Sequence, residues 1–301
     1  MIFKTQDINK FNLQSDLRII QDVLDISDNQ LAVETEIPVE IINKLLKGDI
    51  TTVDKNTMEN IYNFAFNNGL YLTNIKHQLY SEEFNDGDNL VLCHGSRNKI
   101  VGALRLDANN DASNDFANGF YCGQFVNQAG MFVSMEPDSC LYIAKAKLND
   151  LITTSLGVTT DWLIAVSYFR NTLINYDVEN LPIIKKCKKS DLIIAPIADN
   201  RMFELIDQFL NGELTDMQCI HAISATSLGF QYVFKTEKAL QNVELLERCY
   251  LCSSEKGYYN RNNETESNTG LTKAKLSKLL YKNEGKYISE ILRVQSELIN
   301  Y

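Results

Sequence analysis

The sequence predicts an α+β protein: an all-helical module, then a mixed domain of strands and helices, then a C-terminal helix. Three observations carry that expectation. Apolar residues recur at helical spacing through the first eighty positions, with no run that alternates as a strand does. From residue 90 onward, apolar runs of strand length alternate with helical patterns but form no strict βαβ repeat. After residue 270 the spacing is helical again. The predicted division is a helical domain over 1–80, a linker over 81–89, the mixed domain over 90–252, and a polar loop with an amphipathic helix over 253–301.

Composition narrows the function classes. The chain has 301 residues, 45% hydrophobic and 23% charged, which is ordinary for a protein with a real core. Its net charge of −10 argues against broad attraction to nucleic acid or anionic lipid, since both need a surplus of Lys and Arg. No run approaches the roughly 18 apolar residues of a membrane span, and no secretory signal is visible, so a cytoplasmic location is expected. Seven scattered cysteines, an odd number, fit a reducing compartment. Cys249 and Cys252 form the one C-x-x-C pair. No second ligand pair stands at suitable spacing, so no metal site is expected, only two half-buried thiols at the edge of a strand.

The elements follow in order. DLRIIQDVLDIS places Leu17, Ile20, Val23 and Leu24 on one helical face. Ser27 is placed to cap a second helix, DNQLAVET, with Gln30 at the capping-box position. Pro38 falls in the first turn of a third helix, which Gly48 stops. A fourth, NTMENIYNFAFNNGL, ends at Gly69. Acidic SEEFNDGDN reads as linker. LVLCHGS, GFYCGQF, CLYIAKAKL, DLIIAPIAD and FQYVFKTEKAL read as strands or strand ends. DWLIAVSYFRNTL and NRMFELIDQFLNGELTDMQCIHAI read as helices. SSEKGYYNRNNETESNTG is polar and is expected to be a loop. In the last segment Leu276, Leu279 and Leu280 share a face, as do Ile288, Ile291 and Leu292.

Short helix, tight turn, short helix is the helix-turn-helix pattern. The order Gln30-Leu31-Ala32, Ile37, Ile41-Ile42, Lys47-Gly48 resembles the lambda-repressor-like helix-turn-helix family over residues 15–72. In that family the exposed face of the third helix enters the major groove. Here it offers Glu40, Asn43, Lys44 and Lys47. Residues 1–80 carry seven Lys or Arg against eleven Asp or Glu, a poor balance for phosphate contacts. Asn43 can still read an adenine edge. DNA binding by residues 1–80 and a helical docking role both stay open.

Two short stretches carry chemistry. In NLVLCHGS a strand ends on His94, and Gly95 directly after it allows close backbone approach by a flat ligand. In NGFYCG, Gly119 and Gly123 flank Tyr121, whose ring can stack. A strand ending in His-Gly, followed by Gly-apolar-Tyr, resembles the His-Tyr-Glu class of the ADP-ribosyltransferase superfamily, the class of diphtheria toxin and the poly-ADP-ribose polymerases. DFANGFYCG, DWLIAVSYFR, DLIIAPIADNRMFELIDQFLNGELTDMQ and QYVFKTEKAL, in that order, resemble a bacterial family of ADP-ribosyltransferase-like proteins over about residues 90–245.

The resemblance implies a split-sheet fold that binds NAD as substrate, and transfer of ADP-ribose to a macromolecular acceptor with release of nicotinamide. It also implies a small antitoxin-like protein partner, as in toxin–antitoxin pairs, and no membrane. By the family's pattern His94 bonds the adenine ribose, Gly95 the nicotinamide amide and Tyr121 stacks on the nicotinamide, with Ser96 near the ribose. The family keeps a glutamate on a late strand. Here Gln231 stands in that place, in QYVF. Cleaving the nicotinamide–ribose bond builds positive charge on the ribose, which an anion stabilises. A carboxylate can also act as base, typically worth about a hundred- to ten-thousand-fold. Asp199 and Glu237 are candidates for that charge, although each also suits a cap or strand end, and Arg201 is a candidate pyrophosphate contact. Asp115 reads as a turn residue. A non-catalytic NAD- or peptide-binding regulator, and a DNA-binding autoregulator, remain alternative readings.

Overall fold

The computed structural model of the protein describes residues 12–49, 53–106, 114–173, 178–197, 200–224, 229–282 and 284–299. The chain packs as two compact units, each assembled from separated stretches. One takes 1–102, 125–147 and 243–262; the other takes 103–124, 148–242 and 263–301. The units run across the consecutive division read from sequence, because the first eighty residues pack with strands from later in the chain.

The first unit begins with five helices: α1 (Leu13–Leu24), α2 (Asp28–Thr35), α3 (Val39–Leu46), α4 (Lys55–Asn67) and α5 (Leu72–Phe84). Leu13, Leu17 and Ile20 of α1 meet Leu31, Ile42 and Ile61 in a buried core. Val23, predicted for that face, is exposed instead. The capping box forms as expected: the Ser27 hydroxyl accepts from the Gln30 amide, and Gln30 Oε1 accepts from the Ser27 N–H at 2.8 Å. Pro38 is the N-cap of α3, just before its first turn. Gly48 adopts φ +85° after α3, where its N–H closes on Leu45 O. The predicted linker is partly helix, since α5 runs to Phe84. Beyond it Asp86 Oδ1 accepts from the Asp88 and Asn89 amides at 2.7 Å, fixing the turn into the first strand.

Strands β1 (Asn89–Ser96), β3 (Cys140–Lys147) and β7 (Val243–Cys249) complete this unit, in the order β1-β3-β7 and all antiparallel. Helix α6 (Val126–Val133) packs on them, and Val126, Ala129 and Val133 join Val91, Cys93, Leu141 and Ile143 in a second core. The second unit holds β2 (Phe120–Gly123), β4 (Thr153–Ser155), β5 (Leu192–Pro196) and β6 (Phe230–Phe234), in the order β4-β5-β6-β2. Only β4 and β5 pair parallel. Its helices are α7 (Thr160–Phe169), α8 (Pro182–Lys189), α9 (Asn200–Leu210), α10 (Asp216–Ser224), the single turn α11 (Glu237–Leu240) and α13 (Ile288–Ile299). The protein is therefore α+β, as the sequence led us to expect, and its strands are mostly antiparallel.

Residues 253–270 are not a loop. They form the first two-thirds of α12 (Ser253–Leu280). Its start is capped from α4: Glu59 Oε2 accepts from the Ser253 amide at 3.0 Å and Asn63 Oδ1 from the Ser254 amide at 2.9 Å. Tyr259 is buried in the second core and anchors the start of the helix there. Tertiary packing of two turns holds a helix whose polar sequence has no apolar stripe. At its far end Leu276, Leu279 and Leu280 are exposed, whereas Ile288 and Ile291 of α13 are buried. No helix among the described residues is long and apolar enough to cross a membrane.

A buried ion network ties α1, α4 and α5 to β7 within the first unit. Lys76 Nζ lies 2.5 Å from Asp16 Oδ1 and 2.8 Å from Glu247 Oε1. Tyr62 donates to Asp16 Oδ2, and Tyr80 donates to Glu247 Oε2 at 3.0 Å. Burial alone would lower the pKa of the lysine. Asp16 and Glu247 more than reverse that and hold the amine well above its ordinary range.

Candidate functional site

His94 is nearly the last residue of β1, opposite Tyr142 on β3, with the two rings 6.3 Å apart. The imidazole is buried. Strand alternation turns Gly95 to the other face, against α6. A Cβ on Gly95 would sit 2.5 Å from Ala129 O. The glycine is therefore required by the close approach of the helix backbone, whatever ligand it meets. Ser96 ends the strand, half-buried. Cys249 and Cys252, expected half-buried, are both fully buried.

The second unit gathers the other predicted residues. Tyr121 on β2 is opposite Val233 on β6, and Gly123 is opposite Gln231. Cross-strand partners share a face and alternate residues repeat it, so Tyr121 and Gln231 lie on one face, two steps apart. Gln231 is also opposite Ala195 on β5. It is 6% exposed. Its Nε2 donates to Pro196 O at 3.0 Å and to Asp115 Oδ2 at 2.6 Å.

Asp115 is the residue that sequence reading missed. It is 5% exposed and makes an ion pair with Arg170, at the end of α7: Oδ1 lies 3.0 Å from Nη2 and 3.2 Å from Nε. So a buried carboxylate does stand at this face, one hydrogen bond from Gln231. No sequence signal marks it, because a single Asp before Phe-Ala-Asn-Gly reads as turn chemistry.

The described part of the loop carrying Asp115 is held at several points. Tyr121 Oη accepts from the Phe116 amide at 3.1 Å and donates to Ala117 O at 2.7 Å. Burial raises the Tyr121 hydroxyl well above its ordinary pKa, so it stays a donor. Lys235 Nζ donates to Phe116 O, and to Asn118 O at 2.6 Å. Burial lowers this amine to about 8. Gly119 packs against β6, where a Cβ would sit 2.7 Å from the Val233 side chain.

The remaining candidates stand apart from this cluster or outside the described residues. Glu237 is the exposed first residue of α11, three positions beyond the end of β6 and behind the Thr236 cap. Asp199 lies outside the described residues. Arg201 is in the first turn of α9, and its side chain is likewise not described. On α3, Glu40, Lys44 and Lys47 are exposed and Asn43 is half-exposed. His221 stacks on Tyr281 with centroids 3.7 Å apart. Among the described residues no three His, Cys, Asp or Glu side chains form a metal-binding group.

No curated protein and no solved structure matches the chain. One family model does, over residues 90–245, a span that begins at β1 and ends in β7 and so includes His94, Asp115, Tyr121, Arg170 and Gln231. It covers more than half of the sequence, and the chain therefore belongs to the DUF3990 family, described as protein of unknown function.

Proposed function

We propose that the protein is an NAD-dependent ADP-ribosyltransferase. Nicotinamide leaves ribose C1′ with the electron pair of the glycosidic bond. A nucleophile of a macromolecular acceptor then bonds C1′ and gives up its proton. Tyr121 stacks on the nicotinamide. The observation that supports this most is the shared face of Tyr121 and Gln231 on neighbouring strands, with a buried carboxylate beside them. That face combines an aromatic platform with a hydroxyl-binding carbonyl, which fits a nicotinamide riboside.

We further propose that the acceptor is a cellular target, and that a small protein partner neutralises the modification in a toxin–antitoxin arrangement. The test uses NAD labelled in the adenylate, incubated with the full chain and cell extract. Label transferred to a macromolecule, with stoichiometric nicotinamide release that falls in Tyr121→Ala, is the expected result. Absence of both label and nicotinamide release overturns the proposal. Expression should arrest growth for the wild type and not for Tyr121→Ala.

A further inference from the structure

We infer that acid and amide have exchanged places in this site: Asp115 is the carboxylate, and it acts through Gln231 as a positioning residue. This rests on the ADP-ribosyl transfer reading above. Both partners of Gln231 Nε2, the Asp115 carboxylate and the Pro196 carbonyl, are acceptors. That fixes which end of the amide is nitrogen, because an oxygen there would face two acceptors. Oε1 is then the one atom of the amide left for a ligand, and it can only accept. A ribose hydroxyl is the donor such a position takes.

Asp115 holds the amide in that sense. Arg170 grips Oδ1 through two nitrogens, and Oδ2 accepts from Gln231 at 2.6 Å, a charge-assisted bond. A carboxylate drawing on the amide N–H shifts electron density towards Oε1 and makes it a stronger acceptor. The same geometry explains why residue 231 is not glutamate here. In the Gln231 rotamer a glutamate would set one carboxylate 2.6 Å from another and turn an acceptor on Pro196 O. Two carboxylates that close cannot both ionise, so one would take a proton.

The test compares wild type, Asp115→Asn, Gln231→Glu and the double variant in nicotinamide release from NAD to water, with urea unfolding of each alongside. Asp115→Asn should lower kcat by about ten- to a hundredfold while KM for NAD stays within about threefold. Gln231→Glu alone should lose a similar factor. The double variant should recover about tenfold over Gln231→Glu, because the amide introduced at position 115 can then donate to the carboxylate introduced at position 231. Recovery stays partial, since Pro196 O loses its donor.

A readout independent of NAD is the Gln231 side-chain amide protons. They should be shifted downfield and slow to exchange in the wild type, and lose both features in Asp115→Asn. Additive effects on kcat in the double variant, or an Asp115→Asn defect confined to KM, overturn the inference. An active wild type indifferent to Asp115→Asn overturns this inference alone. A wild type that releases no nicotinamide overturns the transfer reading and this role with it.

Discussion

Replacing Lys76 with methionine tests whether the helical segment and β7 form one cooperative structure. Methionine keeps most of the volume and removes the charge. Asp16 and Glu247 are then left as two buried carboxyls whose shared cation, 2.5 and 2.8 Å away, is gone. Tyr62 and Tyr80 still donate to them, so the loss is electrostatic rather than a loss of all partners. Breaking a buried ion pair from one side typically costs about 3–5 kcal/mol. That is a large share of the roughly 5–15 kcal/mol that holds a domain together. The pH dependence has a definite sign. Burial already raises Asp16 above its usual pKa, with Lys76 pulling it down. Without Lys76 it rises further, the folded state holds protons the unfolded state releases, and stability falls as pH increases. Urea unfolding followed by far-ultraviolet circular dichroism at pH 5 and pH 8 measures this. The deficit relative to wild type should be larger at pH 8. A deficit under about 1 kcal/mol, or one equal at both pH values, would refute the reasoning.

Three further outcomes follow from local geometry. Glu255→Gln should stabilise the protein at pH 8 by about 3 kcal/mol and leave it unchanged at pH 4. Burial pushes Glu255 up to about 7, so folding opposes its ionisation and wild-type stability declines as pH rises from its unfolded value through that point. A pH-independent difference in urea midpoint would contradict this. Gly95→Ala should destabilise by about 1–3 kcal/mol without any ligand present, because the new methyl meets Ala129 O at 2.5 Å; a thermal melt reads it. Glu59→Ala should cost about 1–2 kcal/mol and speed hydrogen exchange in the first turn of α12, whose Ser253 amide loses its acceptor.

The legible parts of the fold were the local ones. Ser27 with Gln30 and Gly48 after α3 are each read from a few adjacent residues and stand where expected, and the strand through His94 was read as well, although it runs on to Ser96. Short strands such as β4, with three residues, carry too little pattern to read. The helix α12 was hidden because its stabilising contacts are with Glu59 and Asn63, far upstream. Val23 was misplaced because helical spacing gives a face but not its width.

The sequence by itself determined the α+β class, the succession of helices that α1 to α5 form, and the strand positions of His94 and Tyr121, because propensity, capping and periodicity act over a few residues. Tertiary structure alone decided where charge is buried. Lys76 meets Glu247 across 171 positions and Gln231 meets Asp115 across 116. A carboxylate's partner is chosen by which chain segments exclude water together, and nothing near Asp115 in the chain announces Gln231 or Arg170. That residue 231 is an amide is read from the sequence; that a carboxylate from the loop before β2 lies one hydrogen bond from it is a fact of packing.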